Sequence, residues 1–103
     1  MKSTITVMIK EQISVDLALR DSADTFFDYL ESIPQKKIVV DFNSVKSISR
    51  SFAHEYITRK KNSKKSITET NVPDNVKKMF YVVEQPAEKT LVFDLRTVRA
   101  VTL

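Results

Sequence analysis

Ser49, Arg50 and Ser51 stand directly ahead of Phe52, Ala53, Tyr56 and Ile57. Those four apolar positions recur at helical spacing, so Ser49 falls where an N-cap hydroxyl accepts a bond from a free backbone N–H. The positive end of a helix dipole also favours anions, and Arg50 adds a full charge. A phosphate carried by Ser51 would be stabilised there. His54 and Glu55 follow within the same helix, but no nucleophile stands near them in an activating arrangement. That leaves His54 as a solvent-facing or core-edge residue. Asp41, inside the apolar run Lys37–Phe42, is expected to bond turn or helix N–H groups at a strand end rather than to take part in catalysis. Asp94 is expected to do the same in a last strand. Further on, Arg59, Lys60, Lys61, Lys64 and Lys65 form a cationic run. It has the chemistry to neutralise nucleic-acid phosphates, or simply to end a helix with favourable charge.

Composition narrows the chemistry. There is no cysteine among the 103 residues, which removes thiol nucleophiles, zinc-thiolate sites and disulfides and suits a reducing compartment. Glycine is also absent, so Walker A and dinucleotide-binding loops are excluded. With His54 the sole histidine, a multi-histidine metal site within one chain is excluded as well. Neither cofactor nor metal is expected, and the chain reads as a non-enzyme. The apolar run Ile5–Ile9 is broken by Thr6 and is too short for a signal core or a membrane span. The expectation is a cytoplasmic protein without a membrane anchor.

Charge is unevenly distributed. Residues 11–31 hold six acids against Arg20, a balance of −5, and residues 36–65 hold nine cations against Asp41 and Glu55, a balance of +7. The molecule is therefore electrically polar.

The elements that must position these groups follow from periodicity. Thr4–Lys10 and Ile13–Leu19 are β-branched runs separated by Glu11-Gln12 and read as a hairpin, with Ile13, Val15, Leu17 and Leu19 on one face. Ala23, Phe26, Phe27, Leu30 and Ile33 mark an amphipathic helix capped by Asp21 or Ser22 and stopped by Pro34. Lys37–Phe42 reads as a central strand. Ser66–Thr70 is a short strand, and Pro73 suits the first turn of a helix burying Val76, Met79, Phe80 and Val83. Thr90–Leu95 reads as a final strand. The passage 39–49 (VVDFNSVKSIS) is echoed at 92–102 (VFDLRTVRAVT) without a matching helix behind the second copy. The predicted fold is one α/β domain over 1–103, ordered β-β-α-β-α-β-α-β, with a mixed sheet and helices mainly on one face.

Two passages give this order a family resemblance. Val15-Asp16-Leu17 runs into Arg20-Asp21-Ser22-Ala23, and Val40-Asp41-Phe42-Asn43-Ser44-Val45 runs into Ile48-Ser49-Arg50-Ser51-Phe52-Ala53. Together they resemble the sulfate transporter and anti-sigma factor antagonist (STAS) domain, most nearly its compact STAS-like members of unknown function. Ser49 stands where the family usually has aspartate, Arg50 where it has a first serine, and Phe52 where it has glycine.

The resemblance implies a regulatory interaction module whose partner is a switch kinase or an ATPase of the histidine-kinase type. It also implies docking around Asn43, Ser44, Ser49, Arg50 and Ser51, with Ser51 the counterpart of the phosphorylated serine. The molecule would then act as a monomer or homodimer. The other reading is a basic nucleic-acid-associated protein using Arg59, Lys60, Lys61, Lys64 and Lys65. Against it, Phe52, Tyr56 and Phe80 are explained as helix core rather than as a stacking platform.

Overall fold

The computed structural model of the chain describes residues 4–84. In chain order its elements are β1 (Thr4–Met8), α1 (Ile9–Gln12), β2 (Asp16–Leu17), α2 (Arg20–Ser32), β3 (Lys37–Asp41), β4 (Ser47–Ile48), α3 (Arg50–Asn62), β5 (Ser66–Thr70) and α4 (Asp74–Glu84). β1, β3 and β5 form a three-stranded parallel sheet in the order β1-β3-β5, which puts β3 at the centre as predicted. Parallel neighbours need a crossover between them, and α2 and α3 supply it.

Register explains which face is covered. Ile5 lies beside Ile38 and Ile38 beside Ile67; one pleat further on, Val7, Val40 and Glu69 line up. Because side chains alternate, these six share one face, and Val7, Ile38, Val40 and Ile67 are buried in a single core cluster with Phe26, Phe27, Leu30, Phe52, Tyr56 and Val76. The opposite face carries Thr4, Thr6, Lys37, Ser66 and Thr68, all exposed. The helices therefore pack on one face. Tyr56 lies at the middle of the core, fully buried, with ring centroids 5.0 Å from Phe27, 5.2 Å from Phe80 and 5.8 Å from Phe42.

The opening hairpin is not formed. After β1 the chain makes one helical turn, closed by Ile13 N–H donating to Ile9 O at 2.9 Å. β2 then pairs not with β1 but with β4, in a separate parallel ladder joining Asp16 to Ser47 and Leu17 to Ile48. Among the described residues every ladder is thus parallel, and the antiparallel element expected of a mixed sheet is missing. Two physical reasons stand out. Glu11-Gln12 supplies neither of the positive-φ positions that a tight hairpin turn favours, and the turn buries Ile9 completely. Of the alternating set, only Leu17 is fully buried, whereas Leu19 is 67% exposed.

The remaining helices match their predicted positions with shifted ends. α2 starts at Arg20, and Leu19 occupies its N-cap position without a side-chain bond, displacing the expected caps Asp21 and Ser22. Pro73 precedes α4 by one residue and accepts Lys77 N–H at 2.9 Å. Val76 is buried, but Met79, Phe80 and Val83 are only half-buried. α2 and α3 have the same length, 13 residues, and their buried positions Ala23, Phe26, Phe27 and Ala53, Tyr56, Ile57 match at identical spacing. Strand, two-residue bridge and helix thus recur as a unit. The predicted strand Thr90–Leu95, Asp94 and the second half of the 39–49 echo lie outside the described residues.

Without glycine, the two left-handed positions among the described residues fall on Ser44 (φ 70°) and Asn71 (φ 54°), in the turns that follow β3 and β5. Asp41 holds both turns: its Oδ1 accepts Asn43 N–H at 2.8 Å and Asn71 Nδ2 at 3.2 Å. This is the structural role expected for it. Among the described residues, no helix is long and apolar enough to cross a membrane.

Candidate functional site

Beyond the carboxyl ends of the sheet, the β2–β4 ladder sets the starts of α2 and α3 near each other, and Ser49 fastens the two units together. Its Oγ accepts Phe52 N–H at 3.0 Å and donates to Ala18 O at 2.7 Å, while its own N–H donates to Leu17 O at 2.8 Å. The predicted N-cap is present. The same hydroxyl also ties α3 to the strand end of the preceding unit, so it is fully used within the fold.

Arg50 and Ser51 are exposed and, with Arg20 and His54, line a shallow groove of about 250 Å³. Both helix starts thus contribute an arginine. Sequence reasoning named Arg50 and Ser51 but not Arg20; the available signal was that Arg20 and Arg50 each open a helix carrying alanine three residues later. His54 is exposed, in keeping with its solvent-facing reading. Asn43 and Ser44 are not among the groove's lining residues. They sit in the turn after β3, where Ser44 Oγ accepts a long bond from Lys10 Nζ at 3.4 Å.

A carboxylate pair lies between α2 and α3 behind this groove. Glu55 faces Asp24, and the hydrogen bond that a protonated Glu55 donates to it, followed by burial, raises the Glu55 carboxyl above its usual value. The same bond, followed by that from Arg59, holds Asp24 below its own. Arg20 Nε lies 3.9 Å from Glu55 Oε1. The arrangement is a partly exposed interhelical ion network, without a nucleophile set against a base. Among the described residues no three His, Cys, Asp or Glu side chains are grouped so as to hold a metal ion.

The cationic run is largely committed to the fold. Arg59 bridges Asp24 at 3.0 Å and Asp28 at 2.9 Å and lies over the Phe27 ring, its guanidinium carbon 5.7 Å from the centroid. Lys60 bonds Glu69 at 2.9 Å, and Lys65 donates to the carbonyls of Ile33 and Gln35. Lys61 and Lys64 are exposed and have no ion-pair partner among the described residues. Three of the five cations counted towards a nucleic-acid surface therefore satisfy internal acids and carbonyls instead.

Tyr56 donates its hydroxyl to Glu69 Oε2 at 2.8 Å, which gives this carboxylate on the helix-covered face of β5 a second partner. Burial, then the Glu69 charge, pushes the Tyr56 phenol well above its usual value. No protein-family model, curated protein or solved structure matches the chain.

Proposed function

We propose that the chain is a non-enzymatic regulatory interaction domain of the STAS-like type, and that its partner, a switch kinase or an ATPase of the histidine-kinase type, docks on the start of α3. The observation that carries this reading is the exposed groove of Arg20, Arg50, Ser51 and His54. Beside it stands Leu19, a large apolar side chain left exposed at the start of α2. Exposed arginines of this kind are enriched where proteins meet. Ser49 is consumed in holding the fold, which leaves Ser51 as the exposed hydroxyl of the Ser-Arg-Ser passage. A phosphate there would face Arg50 and the free N–H groups of α3, and its charge would change what the groove accepts.

The test begins with affinity capture from native lysate under salt-graded elution, which separates a specific protein from electrostatic nucleic-acid carry-over. Ser51→Asp, Ser51→Ala and Arg50→Ala are then measured against the captured protein, with circular dichroism confirming that each is folded. Ser51→Asp forces the partner to desolvate an added carboxylate, so its binding falls. Unchanged binding by all three variants would move the docking surface elsewhere, with the acidic α2 next to be tried.

A further inference from the structure

The flank of α2 that faces α3 has its acids neutralised, because Asp24 and Asp28 share Arg59. The opposite flank differs. There Asp21, Ser22, Thr25, Phe26 and Tyr29 join Gln12 and Ile13, which follow β1, around an open cavity of about 390 Å³. That volume lies within the range of small-molecule sites. Ile13 and Phe26 supply an apolar base, and the Tyr29 side chain, 40% exposed, forms one wall. The side-chain polar groups of Gln12, Asp21, Ser22, Thr25 and Tyr29 have no hydrogen-bond or ion-pair partner among the described residues.

We infer that this cavity is a binding site for a small organic ammonium with an apolar or aryl stem. Asp21 is the one charged side chain in the lining, so an anionic ligand meets repulsion and a cation meets its counter-charge. An ammonium has three donors and no acceptor. Asp21, the hydroxyls of Ser22 and Thr25 and the Gln12 amide oxygen are acceptors that match it. The stem lies along Ile13 and Phe26, and the face of Tyr29 attracts the positive end.

The site is on the flank of α2 away from the Arg50–Ser51 groove and does not depend on that groove being a docking surface. The test is a ¹H–¹⁵N correlation titration of the full chain with tyramine, and with 4-ethylphenol as its uncharged counterpart. Tyramine produces saturable shifts confined to residues 12–13 and 21–29, and 4-ethylphenol binds more weakly. Asp21→Asn, an exposed change that leaves the fold intact by circular dichroism, lowers the tyramine affinity about fivefold, as expected for loss of an exposed ion pair. Tyr29→Ala lowers it as well. The inference is overturned if shifts stay linear to about 10 mM tyramine, if 4-ethylphenol binds equally well, or if Asp21→Asn keeps the wild-type affinity.

Discussion

Replacing Tyr56 by phenylalanine removes one oxygen from the centre of the core and leaves the ring in place among Phe27, Phe42, Phe52 and Phe80. What is lost is the bond to Glu69, an acceptor that carries charge and is mostly shielded from water. A hydrogen bond to a charged group contributes about 1.5–3 kcal/mol, and Lys60 remains to hold the carboxylate, so the cost near neutral pH should fall in that range. A second signature separates this bond from generic packing. Burial and the Glu69 charge raise the Tyr56 phenol well above 10.0, its usual value, so the folded protein keeps a proton that the unfolded chain releases. Above about pH 10 the unfolded state then binds fewer protons, and stability falls with rising pH by up to ~1.4 kcal/mol per unit. Tyr56→Phe cannot show that fall. Urea unfolding followed by circular dichroism should therefore find the wild-type advantage shrinking by about 1.4 kcal/mol between pH 8 and pH 11. A gap that stays constant over this range would refute both the hydrogen bond and the burial argument.

Ser49→Ala should cost about 2 kcal/mol, since it removes a helix cap and leaves the Ala18 carbonyl unpaired. Ser51→Ala should stay within about 0.5 kcal/mol, and equal losses in the two, read by urea unfolding, would contradict the division of labour between these serines. Glu55→Gln addresses the interhelical carboxylates. A carboxyl raised on folding, as Glu55 is, stabilises most below its usual 4.5 and loses that contribution as pH rises through the raised value. Asp24, held below 3.8, contributes above that value and loses the contribution as pH falls through the lowered one. Removing the Glu55 charge while keeping an amide donor for Asp24 should remove the part of the pH dependence of thermal stability in which stability falls as pH rises past 4.5. The melting temperature near neutrality should be unchanged or higher, and a clear drop there would show that Glu55 is stabilising through Arg20 instead.

The features legible in the sequence were those written locally. The apolar spacing of α2, the run that became β3, the hydroxyl capping α3 and the short strand β5 each reside in one segment, and each lies where periodicity put it. The hairpin failed because alternation over Ile13–Leu19 reports one residue's burial, that of Leu17, and says nothing about which strand is its partner. β1 found β3, and β2 found β4, across about 30 residues of chain. The pairing of the cationic run was hidden for a related reason. Charge counts record Arg59 and Lys60 but not Asp24, Asp28 and Glu69, which only the packing of α2, α3 and β5 brings to them. Arg20 joined the groove with Arg50 because the small ladder sets two helix starts near each other, a coincidence no single segment encodes.

The recurrence of strand, bridge and helix bears on how the chain is made as well as on how it stands. Sheet order follows chain order, β1 to β3 to β5, so each unit docks on the one completed just before it. No described strand has to wait for a later segment to be inserted between itself and its predecessor. Contacts between successive units keep loop-closure costs below those of pairing between chain ends, while parallel pairing across about 30 residues still forms more slowly than a local hairpin would. A chain emerging from the ribosome meets its partners in the order of synthesis: α2 can cover β1 and β3 before α3 exists, and β5 extends an edge already in place. The absence of glycine fits the same logic, because a backbone with fewer conformations to search reaches each docking step with less entropy to lose.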